Sequence, residues 1–330
     1  MLDYSIVIPV FYNEGSLFPT MNSIYSEVIK QQGEYSCEVI FVDDGSGDGS
    51  LEELLNIRKR YPDIVKIIKL IRNFGQGNAL LAGFSYAKGK CVVAISADGQ
   101  DPPGLINDML QAHFKENYDV VACTREGRDE SFYRVITSKI FYSLIKRIAI
   151  PNMPTGGFDY FLLSRRSLNA FLRNIDKHPF FQGEILWLGF RTKYIGYTRR
   201  KRTVGKSRWT FAKKLTYLLD SLMSYSFVPI RSMSLVGALA AICGFIYAFI
   251  ILLSKLVWGN TPSGWAPLMI VILVLGGFQM LMLGIIGEYL WRTLNQVRNR
   301  DFYIIDVIYD HDGEFIPEQE QGISFTKSVK

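Results

Sequence analysis

Over residues 1 to about 125, short β-branched runs alternate with stretches that are apolar at every third or fourth position. The runs YSIVIPVF, CEVIFVDD, VKIIKLI, CVVAIS and DVVAC predict strands, because continuous apolar segments of this length suit a sheet covered on both faces. Between the first two, Leu17, Met21, Ile24, Tyr25 and Val28 recur at helical spacing and predict an amphipathic crossover helix. The alternation as a whole predicts an α/β fold, a mostly parallel sheet with helices on both faces. The pattern weakens over residues 126 to 210, which are richer in Arg and aromatics. Beyond it, Leu215, Leu218, Leu219, Leu222, Met223 and Phe227 mark one face of a helix that begins beside Lys213 and Lys214 and stops at Pro229. Such a helix suits the headgroup layer of a membrane, and packing on the sheet is the other reading. Ser234 to Ser254 and Ala266 to Gly287 are uncharged, and each matches the ~20 residues that cross a bilayer. They are joined by KLVWGNTPSGW, a turn-rich segment with interfacial Trp, and DFYIIDVIYD after them predicts a further strand.

Composition agrees with the spans: 48% of the 330 residues are hydrophobic, high for a chain wholly in water. The net charge of +6 is unevenly spread. FRTKYIGYTRRKRTVGKSRWTFAKK precedes the first span, Arg292, Arg298 and Arg300 follow the second, and the loop between holds only Lys255. The positive-inside rule then puts both termini in the cytoplasm and the loop outside, a multi-pass protein of the inner or plasma membrane. The basic excess thereby finds a use at the membrane face, and no nucleic acid is needed to explain it. The expected division is a cytoplasmic catalytic domain over 1–210, an interfacial helix over 211–231, transmembrane helices over 232–258 and 266–290 joined by a short external loop over 259–265, and a cytoplasmic C-terminal segment over 291–330. MLDYSIVIPVF lacks the basic start and cleavage site of a signal peptide and reads as the first strand. Cys37, Cys91, Cys123 and Cys243 lie in apolar stretches without a C-x-x-C pair, which predicts buried reduced thiols, and the histidines lack metal-ligand spacing.

Ligands of open α/β sheets collect at the carboxyl ends of the strands. Polar residues stand there in this chain: Tyr12, Asn13 and Glu14 after the first strand, Asp43 and Asp44 after the second, Asn73 after the third and Asp98 after the fourth. GQGNAL at 75–80 has the first two glycines of a dinucleotide fingerprint but Leu80 in its last place, and no P-loop is present. IVIPVFYNE, VIFVDDGSGDGS, RNFGQGNALLAG and ISADGQDPP, in that order, resemble the family 2 inverting glycosyltransferases of GT-A fold. The two spans preceded by YTRRKRTVGKSRW narrow the resemblance to the polyprenyl-phosphate glycosyltransferases: dolichol-phosphate mannose synthase and, closer, the GtrB-like bactoprenol glucosyltransferases. It covers about residues 4 to 300.

The resemblance implies metal-dependent, inverting transfer of one hexose, glucose from UDP-glucose, to undecaprenyl phosphate on the cytoplasmic face. GDP-mannose is the alternative donor. It also implies a homotetramer. Asp98 and Gln100 would supply hard oxygen ligands to Mg²⁺ or Mn²⁺, with Gly99 letting the backbone bend between them. Asp98 as a helix cap is the structural alternative, and Asp101, before Pro102 and Pro103, is expected to start the next helix and stay outside the metal set. Pro9, Tyr12, Glu14, Asp43, Asp44, Asn73, Gly75 and Ala97 are implied at the donor nucleotide sugar, joined by Arg202 and Ser207, while VDDGSGDGS also reads as a plain turn. Arg125, Arg134 and Ser138 resemble lipid-phosphate ligands, and Asp159 joins Asp98 in the catalytic set. Arg199 to Lys201 also read as headgroup-binding residues. The chain departs from the family pattern at Ser96, which stands in the first position of D-x-D, at Gly99 in place of Leu, and at GGFD (156–159) in place of G-D-F-R. A processive polysaccharide synthase would carry Q-x-x-R-W and many spans; here Gly205 precedes Arg208 and Trp209, and there are two spans. An inactive nucleotide-sugar-binding membrane protein is the non-enzymatic reading, motivated by Ser96 and Gly99.

Overall fold

Five apolar runs build the centre of the molecule. The computed structural model describes residues 2–127, 146–147, 150–154, 157–176, 180–199, 226, 228–258, 264–298, 300–311 and 313–316. β1 (Tyr4–Val10), β2 (Cys37–Asp43), β3 (Val65–Leu70), β4 (Cys91–Ala94) and β5 (Val120–Gly127) follow the predicted strands to within a few residues. Between them lie α1 (Leu17–Ile24), extended by a π-helical turn (Tyr25–Ile29), α2 (Ser50–Arg60), α3 (Gln76–Tyr86) and α4 (Leu105–Phe114). Leu17, Met21, Ile24 and Val28 are buried as their spacing requires, whereas Tyr25, 38% exposed, lies off that face.

The segment without a clear sequence pattern is structured as well. It holds β6 (Tyr160–Ser164), α5 (Arg165–Asn174), α6 (Phe181–Trp187) and β7 (Thr192–Thr198). The sheet runs β7-β5-β6-β4-β1-β2-β3 and is completed by two C-terminal strands, β8 (Ile305–Asp310) and β9 (Gly313–Phe315). Its four central strands are parallel, as expected. β6 pairs antiparallel with β4 and β5, and β8 antiparallel with β3, so the complete sheet is mixed. Alternate residues of each strand feed two cores. Ile6, Ile8, Val10, Val39 and Phe41 pack with α1, α2 and α4, and Val7, Ile40, Val42 and Ile68 pack with α3, α5 and α6.

This sheet and its helices form one unit, Met1–Leu218 with Arg300–Lys330, and residues Leu219–Asn299 form a second. The second unit contains α7 (Val228–Trp258) and α8 (Trp265–Val297), of 31 and 33 residues. At ~1.5 Å per residue each exceeds the ~30 Å of a bilayer's hydrocarbon core. Both are long and apolar enough to cross a membrane, and Gly237 of α7 lies against Met282 of α8. The predicted interfacial helix lies outside the described residues up to 225, and its last positions, Val228 to Arg231, belong to α7. Cys37, Cys91 and Cys123 are buried free thiols; Cys243, expected buried, is exposed on α7 because it lies in the apolar window Ile230–Tyr247, none of which is buried in the structure.

Candidate active site

The carboxyl ends of β1, β2 and β3 are sewn together by acids and backbone amides. Asp43 is fully buried; its Oδ1 accepts the Ser46 N–H at 3.2 Å, and its Oδ2 has no partner among the described residues. Burial pushes its carboxyl above the usual range, against the Ser46 hydrogen bonds. Asp44 turns the other way, accepting the Phe74 N–H at 2.7 Å on one oxygen and the Gly75 N–H at 2.9 Å on the other. It is also raised by burial. Asp44 thus staples the turn after β2 to the N-terminus of α3, where Gly75 adopts φ +95. Tyr12, at φ 55, donates its N–H to Ser46 Oγ at 3.1 Å, and Glu14 Oε2 accepts the Gly49 N–H at 3.1 Å. Glu14 therefore clamps two loops with the carboxylate that the sequence assigns to a pocket wall. Pro9 pairs with Val42 in the sheet, and Asn73 is exposed next to Gly45.

The end of β4 carries the acidic tip. The Ala97 carbonyl accepts the Ser16 and Thr20 hydroxyls at 3.0 and 3.3 Å, which ties the tip to α1. Asp98 Oδ1 accepts the Ser96 hydroxyl at 2.9 Å and the Gln100 N–H at 3.2 Å across Gly99, whose φ of +68 closes the turn. Asp98 so organises its own loop and does not cap α4. Asp101 does not start that helix either: the Leu105 and Ile106 N–H groups bond the carbonyls of Pro102 and Pro103. Asp101 is instead 2% exposed, 2.5 Å from the Ser96 hydroxyl and 2.6 Å from the Tyr197 hydroxyl that donates to it. Arg199 completes the cluster, with Nε 3.2 Å from Asp101 Oδ1 and Nη2 3.7 Å from Asp98 Oδ2. The reading of Arg199 as a headgroup ligand is corrected by this contact, since its charge faces two buried carboxylates.

Opposite β4, Arg125 of β5 donates to Asp159 Oδ2 at 2.6 Å, and Gln182 of α6 donates to Asp159 Oδ1 at 3.0 Å. Burial works against the Arg125 charge, and Asp159, Tyr197 and Asp101 outweigh it, so the guanidinium is held protonated. Arg125 Nε and Gln182 Oε1 are buried and lack a partner among the described residues. Arg134, Ser138, Arg202 and Ser207 lie outside the described residues. Gln182 and Tyr197 are passed over by motif reading, while Asp101 and Arg199 were read there in other roles; the acid following Gln100 and the basic run from Arg199 were the available signals.

The tip suits a hard dication. Its donors are carboxylate, hydroxyl and amide oxygens, and among the described residues no three His, Cys, Asp or Glu side chains form a closed cage. Mg²⁺ and Mn²⁺ are commonly held by one or two carboxylates, with substrate phosphates and water filling the remaining positions.

The family model for glycosyl transferase family 2 matches residues 5–172. The uncharacterized glycosyltransferase YkcC of Bacillus subtilis (strain 168) is 36% identical over 309 residues, 93% of this chain and 94% of that protein. The SfII prophage-derived bactoprenol glucosyl transferase of Shigella flexneri is 31% identical over 302 residues, 91% of this chain and 96% of that protein. Among solved structures, glucosyl-3-phosphoglycerate synthase from Mycobacterium tuberculosis in complex with phosphoglyceric acid is 19% identical with a TM-score of 0.49, covering 67% of this chain and 79% of that one. With the family model spanning half of the chain and relatives aligned over nine-tenths of it, on an acid-tipped α/β sheet of GT-A type, this chain belongs to glycosyl transferase family 2 and is a glycosyltransferase.

Proposed function

We propose that the enzyme transfers a single glucose from UDP-glucose to undecaprenyl phosphate, with inversion, at the cytoplasmic face of the membrane. The observation that carries the reading is the pairing, in one chain, of the Asp98 tip with two helices long enough to span a bilayer. The likeness to proteins named bactoprenol glucosyl transferase supports the lipid acceptor and the glucose. In this reading Asp43 and the Tyr12 loop receive the nucleoside, and Asp98 and Gln100 hold Mg²⁺ or Mn²⁺. The cation, when bound, neutralises the departing diphosphate. A phosphate oxygen of the lipid attacks the anomeric carbon as the bond to the diphosphate breaks, and UDP leaves. The second pKa of a phosphate monoester is about 6, so the nucleophile is already an anion at neutral pH and needs no base. Arg125 orients that anion, and its buried unpartnered Nε suits a phosphate oxygen. The remaining assignments go with this reading: Arg134 and Ser138 at the lipid phosphate, Arg202 and Ser207 at the donor, the catalytic domain over 1–210, and both termini in the cytoplasm.

The test is transfer of labelled sugar from UDP-glucose or GDP-mannose to undecaprenyl phosphate in detergent. A lipid-linked monosaccharide made with UDP-glucose supports the reading, and the same product from GDP-mannose alone reassigns the donor. A polymer would indicate a processive synthase, and no product an inactive binding protein. Asp98→Asn should lower turnover by about two orders of magnitude or more, since it removes the carboxylate charge from the dication; undiminished metal-dependent turnover would reject the site.

A further inference from the structure

Tyr197 is the one buried residue of β7, a strand at the edge of the sheet. At 7% exposure its ring stands edge-on to Tyr160 at 6.1 Å, which leaves the hydroxyl little freedom. A phenol has a single proton to donate, and here it goes to Asp101 Oδ1 at 2.6 Å. The phenol oxygen remains an acceptor, and the Arg125 guanidinium is the neighbouring charge that acts on it. Arg125 and Tyr197 are register partners across β5 and β7, directly before an irregularity in that pairing. Such an irregularity re-aims a side chain relative to the ladder. Polar contacts therefore run from Ser96 through Asp101 to Tyr197, and from its register partner Arg125 on to Asp159 and Gln182. Their two ends are the acidic tip and the arginine–aspartate pair.

The geometry points to Tyr197 as a positioning residue, a strut whose hydroxyl, held by Asp101, sets the Arg125 guanidinium at a fixed place relative to the tip. This rests on the reading of Arg125 as the acceptor-phosphate ligand and of the tip as the donor-diphosphate site. Tyr197 touches no substrate atom in this scheme; it acts through Arg125. Its removal should affect acceptor alignment and leave donor binding alone. A tyrosine serving only to fill the core would, when trimmed, change stability without that selectivity.

The experiment uses the full chain in detergent with Tyr197→Phe, which keeps the ring and removes the hydroxyl. Calorimetric titration with UDP and Mn²⁺, then with farnesyl phosphate, reads the two sites separately, and steady-state kinetics follow. UDP–Mn²⁺ affinity should stay within about twofold of the unmodified protein, farnesyl phosphate affinity should fall about tenfold, and kcat should fall by about 10- to 100-fold, the scale of a misplaced catalytic group. Asp101→Ala removes the tyrosine's acceptor, along with the carboxylate that faces Arg199, and provides a second variant; adding Tyr197→Phe to it should lower kcat little further, because the tyrosine's link is already broken. Unchanged farnesyl phosphate affinity and kcat in Tyr197→Phe, or additive losses in the double variant, would overturn the proposal. Equal loss of UDP–Mn²⁺ and farnesyl phosphate binding would also overturn it. If the unmodified protein binds UDP–Mn²⁺ but no farnesyl phosphate, the acceptor reading fails and the strut with it.

Discussion

Asp43 and Asp44 are adjacent in the chain and do different work in the structure. Successive residues at a strand end point to opposite sides, so Asp44 spends both oxygens on the Phe74 and Gly75 amides while Asp43 keeps Oδ2 without a described partner. The motif shows two acids; which one is left to receive a ligand depends on where the loop before α3 passes. Burial raises the Asp43 carboxyl above 3.8, so the folded protein holds its proton more tightly than the unfolded chain. The stability this contributes is present below the ordinary value and is lost as pH rises through the raised one. Nucleotide binding has the opposite need, a charged acceptor. UDP affinity should therefore weaken as pH falls through the raised Asp43 value, already above 3.8, and Asp43→Asn should flatten that dependence in a titration series. Gly45 shows a second residue-scale constraint: at φ +67, a Cβ would lie 2.6 Å from the Arg72 carbonyl carbon. Gly45→Ala should cost at least about 1–3 kcal/mol, the usual scale for a strained backbone, read from urea denaturation.

At the scale of elements, β8 is the piece that local sequence describes and cannot seat. DFYIIDVIYD announces a strand, but its partner β3 lies more than two hundred residues earlier. Charges mark the junction: buried Lys66 of β3 reaches Asp310 at 3.0 Å and Glu38 at 3.7 Å, Lys69 reaches Asp306 at 2.5 Å, and Arg58 donates to the Asp310 carbonyl. Lys66→Met should cost up to about 3–5 kcal/mol in urea denaturation, because it leaves buried Glu38 and partly exposed Asp310 without their cation. Burial alone would raise the Asp310 carboxyl, and the Lys66 hydrogen bond with the His311 amide outweighs it, so the net shift is downward. The stability from this pair is present above the ordinary 3.8 and lost as pH falls through the lowered value, and Asp310→Asn should remove that acid-side loss. The central strands were legible because burial on both faces demands unbroken apolar runs. β7 was not, because an edge strand that buries only Tyr197 needs no unbroken apolar run.

At the scale of the whole molecule, the orientation proposed from two apolar helices and a band of basic residues can be tested. Asn260→Cys, in the loop between the spans, should react with a membrane-impermeant maleimide in intact cells, whereas Arg300→Cys should react only after permeabilisation. Reversed labelling would invert the topology. The helices, the parallel strands and the acid at the end of β4 were all determined by the sequence alone, because hydrophobic length, periodicity and strand-end polarity are local properties. Only the tertiary structure decided that Asp101 leaves α4 uncapped, that Arg199 turns to the acidic tip, and that Tyr197 bonds that tip from beside Arg125. Those contacts cross between β4, β5 and β7, whose order in the sheet differs from their order in the chain, and no spacing along the backbone encodes a hydrogen bond made across 96 residues.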